Sequence, residues 1–200
     1  IQPTTDSSTI QNQKLEDKFA VESAFYSSLD YKLLPKLQLN FGLRLSNFLR
    51  LGQKINTYEN DNPLLFINSV QIYEEATPLG FIEYSKSEVI KQFTNLEPRF
   101  SLAYKIANDK SFKISYNRMA QYLHLISNTN SPTPIDVWAP SGRYIDPQLL
   151  NQVAVGYFET FNNKIYSLQA EVFYKTIKNR LDYIDGAELI ANDAIEQVLL

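Results

Sequence analysis

Four residues in the middle of the chain have the chemistry of a recognition site. Trp138, the only tryptophan, lies between Val137 and Ala139-Pro140, with Arg143 and Tyr144 close behind and the single histidine, His124, upstream. An indole and a guanidinium held near one another can grip a sugar ring, a peptide or a chelate. The competing reading is that Trp138 packs its own loop or belongs to an interfacial aromatic belt, and that His124 is an ordinary polar strand residue. Catalysis finds no support. There is no Ser-His-Asp spacing, no glycine-rich phosphate loop and no metal cluster. With no cysteine and one histidine, thiolate and histidine-rich metal sites are excluded. Glu74-Glu75 reads as a solvated loop face, and Asp182 and Asp185 flank a turn that they cap rather than bind calcium. No catalytic residue, metal ligand or cofactor is expected.

The elements that must position those side chains are strands. In Arg99–Ile106, Phe100, Leu102, Tyr104 and Ile106 alternate with Arg99, Ser101, Ala103 and Lys105. A period of two with one apolar face is a strand pattern. The polar turn Asn108-Asp109-Lys110 follows, and Phe112, Ile114 and Tyr116 resume the alternation, giving a hairpin over Asn95–Leu125. Leu37, Leu39, Phe41, Leu43 and Leu45 form the clearest apolar face, after the turn Leu34-Pro35-Lys36, and the phase breaks at Asn47 and Phe48. A third hairpin turns at Asn162-Asn163-Lys164. The alternation predicts six strands at about 18–33, 37–50, 93–106, 111–127, 149–161 and 165–183. Between and after them lie long loops at about 51–92, 128–148 and 184–200, the first with strand-like pieces at Leu64–Ile72 and Gly80–Tyr84. Ile1–Leu15 reads as a polar loop.

Three short turns separated by two long loops, with apolar runs close to the ~9–11 residues of a tilted membrane strand, describe an all-β, antiparallel up-and-down transmembrane β-barrel segment. The apolar face then meets lipid, and Glu22, Arg44, Arg99, Lys113 and Glu171 line the lumen. Alternation alone also fits a soluble β-sandwich binding module. The sorting of loop lengths by end, and Tyr166 and Tyr174 near opposite ends of one outward face, favour the barrel. Arg118 falls on the apolar parity. Eight residues beyond the short turn, a tilted strand has risen ~19 Å, so Arg118 is expected near the far interface, where its cost falls to ~0–1 kcal/mol. Net charge is −3, with 19 basic and 22 acidic residues well mixed, so nucleic acid is not an expected partner. No apolar run reaches the ~18 residues of a membrane helix.

The stretches VESAFYSSLDYKL, LQLNFGLRLS, LEPRFSLAYKI, SYNRMAQYLHLISNT, GRYIDPQLLNQVAVGYF and AEVFYKTIKNRLDYIDGAEL resemble the barrel of TonB-dependent outer-membrane receptors. The nearest likeness is to the branch with a carboxypeptidase-regulatory-like N-terminal domain. The resemblance runs from about Leu15 to Leu200 and is weakest over Ile55–Ser87. Its most specific pieces are Glu97-Pro98-Arg99, Tyr116-Asn117-Arg118 to Leu125, and Asp182–Gly186. It implies a 22-stranded barrel in the outer membrane, closed around a plug domain and importing a scarce nutrient (siderophore, glycan, peptide or vitamin) with energy from the TonB complex. Six strands make this an internal portion of such a barrel, part of a larger wall that further strands must complete. The implied partners are outer-membrane lipid, the plug and remaining strands, and the TonB complex through an N-terminal part. Arg44, Arg99 and Glu171 are expected to meet the plug or water. Asn108-Asp109-Lys110 should face the periplasm and His124 the outside. A passive porin is the third reading.

Overall fold

Strict alternation, with few glycines inside the runs, builds strands longer than those of most soluble sheets. The computed structural model describes residues 17–126, 137–161, 165–187 and 195–199. In chain order the strands are β1 (Phe19–Leu34), β2 (Leu37–Leu51), β3 (Lys54–Thr57), β4 (Leu64–Ile67), β5 (Ile72–Glu75), β6 (Gly80–Glu83), β7 (Val89–Lys105), β8 (Lys110–Gln121), β9 (Leu123–Ile126), β10 (Val137–Pro140), β11 (Gln148–Phe161) and β12 (Tyr166–Lys178). Single 3-10 turns occupy Glu59–Asp61 and Ile195–Gln197. The long strands form one antiparallel sheet in the order β1-β2-β7-β8-β11-β12, a meander whose members are neighbours in the chain apart from the loops between them. The tight turns at Pro35-Lys36 and Ile106–Asp109 stand at one end. The expected turn Asn162-Asn163-Lys164 lies outside the described residues.

Register carries the alternation across the whole sheet. One row runs Tyr31, Leu39, Leu102, Ile114, Val155 and Val172, apolar throughout. The next runs Leu29, Phe41, Phe100, Tyr116, Val153 and Tyr174. A row of the opposite face runs Ser28, Gly42, Arg99, Asn117, Gln152 and Lys175. Glu22, Arg44, Lys113 and Glu171 share that polar parity. On the apolar face Phe25, Val172 and Tyr174 are 75%, 76% and 73% exposed. A sandwich would bury such residues under a second sheet; among the described residues none covers them.

The apolar band has edges. On β8 and β11 it is closed at one end by the Lys110–Glu159 ion pair, 3.0 Å, and at the other by Arg118 opposite Asn151. Between them stand only Phe112, Ile114 and Tyr116 on β8, and Tyr157, Val155 and Val153 on β11. Toward β2 the far edge is Asn47, which accepts hydrogen bonds from Gln92 at 2.6 Å and Thr94 at 3.1 Å. Arg118 therefore belongs to a polar border rather than to the band. Tyr166 and Tyr174 both lie on the apolar parity, exposed and eight residues apart along β12.

The structure departs from the pattern at three places, each with a local cause. The break of phase at Asn47-Phe48 does not end β2, which stays in register with β1 to Leu51 and shifts against β7 only after Arg50. Polarity changes sides there because the outer face leaves the apolar band while loops cover the inner one. The strand expected over 111–127 divides at Tyr122, whose side chain turns onto the polar face, and β9 leaves the sheet to pair with β10. The strand expected to 183 stops at Lys178. Asn179 takes a left-handed φ of 54° and donates its amide to the Pro147 carbonyl, 3.0 Å. The long loop after β2 is itself folded: β4 pairs with β5 and β3 with β6.

The hydrophobic core sits in the loops. Leu64, Ile126, Ala139, Ile145, Ile184, Ile195, Val198 and Leu199 form one buried cluster, drawn from every long connection. Within the main sheet, the buried residues Ser46, Phe48, Arg50, Glu97, Ala154 and Gly156 are all on the polar parity. At the end carrying Ser46, Phe48 and Arg50 the connections fold over the polar face, and the apolar face is left bare.

Candidate functional site

Where the loop cap meets the polar face, a hydrogen-bonded network ties β2, β7 and the β8–β9 break together. Tyr122 stacks on Phe48 with ring centroids 4.9 Å apart and planes 3° from parallel. Its hydroxyl lies 2.7 Å from Ser46 Oγ and accepts from Asn95 Nδ2 at 2.9 Å. Ser46 Oγ donates to Glu97 Oε1 at 2.6 Å. Arg44 bridges Glu22, at 2.9 Å, and the buried Glu97, at 3.6 Å. A buried carboxylate is costly without such partners; here a hydroxyl and a guanidinium supply them. Arg99, Lys113 and Glu171 make no ion pair among the described residues and stand on the polar wall. Lys113 and Glu171 flank Gly156.

The four recognition candidates are distributed differently from one another. Trp138 sits on β10 opposite Leu125 and is 57% exposed. Arg143 clamps Asp61 of the preceding long loop through Nε and Nη2, both at 2.9 Å. Tyr144 donates to the Asn56 carbonyl at 2.8 Å, lies 3.2 Å from Asp61 Oδ1 and meets Tyr58 edge-on at 5.3 Å. These two side chains dock one loop on another and line a cavity beneath the cap. His124 is buried, with Nε2 3.1 Å from Ser141 Oγ, so it stands inside the cap rather than on a rim. Asp182 Oδ1 accepts the N–H of the adjacent Tyr183 at 3.0 Å. Among the described residues no His, Cys, Asp and Glu cluster has the shape of a metal site.

Titration in the cap follows burial and pairing. Burial pushes the Tyr144 hydroxyl up to about 12, so it stays a neutral donor across the working range. Burial first, then nearby Glu196, raises Tyr58 further. The hydrogen bond to Asp61 raises Arg143. Burial lowers His124 below its ordinary 6.5. Its unfolded form then binds a proton at a pH where the packed form does not. The associated stability is complete above the ordinary value and lost as pH falls through the folded-state pKa. The cap is expected to open to limited proteolysis at about pH 5 and resist at about pH 8. His124→Gln, which cannot take up the proton, should flatten that dependence. An unchanged dependence in the variant contradicts the assignment.

Sequence reasoning missed Ser46, Glu97 as a buried acid, Tyr122 and Arg50. Phe48 was the one local signal: an aromatic on a polar parity implies something to cover it.

An apolar belt bare on one face, a polar wall on the other and loops folded over that wall define a membrane-spanning β-barrel wall. The chain matches the family model of the TonB dependent receptor-like β-barrel over residues 2–193 and belongs to that family. Members of the family are outer-membrane transporters and receptors. No curated protein and no solved structure matches the chain.

Proposed function

We propose that these strands are part of the wall of an outer-membrane receptor that imports a scarce solute with energy from the TonB complex. The observation that carries the reading is the division of labour between faces: every buried wall residue is on the polar side, with Ser46, Phe48 and Arg50 at its loop end. β1 and β12 each leave one edge unpaired among the described residues, and a bilayer tolerates no such edge. Further strands of the receptor complete the wall, and a plug domain fills the lumen against Arg44, Arg99, Lys113, Glu171 and Glu22. The Pro35-Lys36 and Ile106–Asp109 turns face the periplasm. The loop cap faces outward and presents Trp138 as the principal solute contact, with Arg143 and Tyr144 holding the loops behind it and His124 supporting β9.

The test is uptake by cells carrying the full-length receptor, offered ferric chelates, glycans, peptides and cobalamins in turn. Import of one class should stop when the inner-membrane proton gradient is collapsed. Import that survives the collapse identifies a passive porin instead. Trp138→Ala should raise the half-saturating concentration about two- to twelvefold, the loss of one aromatic contact of ~0.5–1.5 kcal/mol, with receptor abundance unchanged. An unaltered half-saturation removes Trp138 from the site.

A further inference from the structure

Arg50 is a buried cation whose opposing charge, Glu196, attracts it only from beyond ion-pair distance. It ends the polar face of β2 and is 4% exposed. Nη1 donates to the carbonyls of Phe19 and Leu51, both at 2.8 Å, and Nη2 donates to the Gln53 side chain. All three acceptors are neutral. Among the described residues no carboxylate lies within ion-pair distance of it. Its partner directly across the ladder is Lys91, a like charge where opposite charges would stabilise.

Arg50 also lines the cavity beneath the cap, about 220 Å³ in volume, where Lys18, Lys54 and Arg143 join it against one carboxylate, Glu196. Arg143 is matched by Asp61, and Lys54 Nζ stands 4.0 Å over the Phe81 ring. Glu196 accepts a hydrogen bond from Tyr58 at 3.2 Å. Arg50 and Lys54 thus outnumber Glu196 on the cavity wall, and Arg50 is desolvated. A buried charge without a counter-ion is costly, and a guanidinium recognises an oxyanion by its planar fork. The space is many times the ~10–15 Å³ that a single water requires, room enough for an oxyanion head group.

We infer that the Arg50 cavity binds an oxyanion head group, carboxylate or phosphate, carried by the solute that the receptor takes up. This rests on the loop cap being the solute-facing side. The test uses the full-length receptor in detergent, with citrate and inorganic phosphate as probes and chloride at matched ionic strength as reference. One or both oxyanions should bind by calorimetry while chloride does not, and the stronger of the two names the head group. Arg50→Gln, which keeps a donor but removes the charge, should weaken binding at least tenfold. If that variant does not assemble, exposed Lys54→Gln should weaken it about two- to fivefold. Lys36→Gln, at the opposite end of the sheet, should leave it unchanged. Equal affinity in wild type and Arg50→Gln, or in wild type and Lys54→Gln, overturns the proposal, as does the absence of oxyanion binding. Energy-dependent uptake is measured separately, so a neutral solute can be imported while this proposal fails.

Discussion

Gly52→Ala is expected to strip the loop cap from the wall while leaving the wall itself intact. Gly52 joins β2 to β3, at the root of the first long loop. A Cβ placed there would stand 1.8 Å from the Ser85 carbonyl oxygen and 2.6 Å from its carbon. Both atoms are backbone, so no rotamer change relieves the clash. Overpacking usually costs ~1–3 kcal/mol, and a main-chain collision this close belongs at or above the top of that range. The backbone must separate where Tyr84 N–H meets the Gln53 carbonyl at 3.2 Å, next to the β3–β6 ladder. With that ladder displaced, the Arg143–Asp61 clamp and the Tyr144–Asn56 bond lose their fixed acceptors. Protease should cut the loop in the Gly52→Ala receptor and spare it in wild type. The barrel's resistance to unfolding in detergent should change little. Gly42→Ala is the control. Its Cβ would meet nothing closer than 3.7 Å, so it should behave as wild type despite sitting in the middle of a strand.

Ile114→Lys is the second large effect, and it acts on the wall. Ile114 lies midway along β8 between Lys110 and Arg118, the two polar borders of the band, and pairs with Leu102 and Val155. Lysine at the bilayer midplane costs ~2–4 kcal/mol on a barrel's lipid face, falling to ~0–1 kcal/mol near the interfaces. Ser115→Lys, one residue on and facing the lumen, should cost much less. Arg118→Leu, at the border, should shift stability by no more than the interfacial value. Folding into lipid vesicles under urea measures all three. If Ile114→Lys and Ser115→Lys are equally costly, the two faces do not differ in their surroundings.

How much of this was readable in the residue order follows from where each interaction closes. The alternation of Leu37–Leu45 or Phe100–Ile106 is local, so strands, faces and the tight Pro35-Lys36 turn could be placed without knowing any partner. Arg118 was likewise placed by counting residues from a turn. The cap could not be found that way. Its core joins Leu64 to Val198, and the acceptor of Arg143 lies 82 residues upstream. Loop composition gives no register with which to predict such meetings. Tyr122 was hidden for a related reason: it continues an apolar pattern, but its hydroxyl finds Ser46 two strands away, and that contact divides the strand. In the residue order nothing local sets Arg50 apart from Arg44. Only the register that sets Lys91 beside it, together with the loop laid over it, makes it a buried charge on a cavity wall.

The wall assignment is tested most directly by nitroxide scanning of β12 from Leu168 to Lys175 in the full-length receptor reconstituted into lipid. These 200 residues contain no cysteine, so within them each label reports from the one introduced site. Leu168, Ala170, Val172 and Tyr174 should show high oxygen and low nickel-chelate accessibility, as labels in hydrocarbon do. Gln169, Glu171, Phe173 and Lys175 should show the converse, giving an alternation with a period of two. High nickel-chelate accessibility at Val172 and Tyr174, with no alternation along the strand, would place the apolar face in water and contradict the barrel.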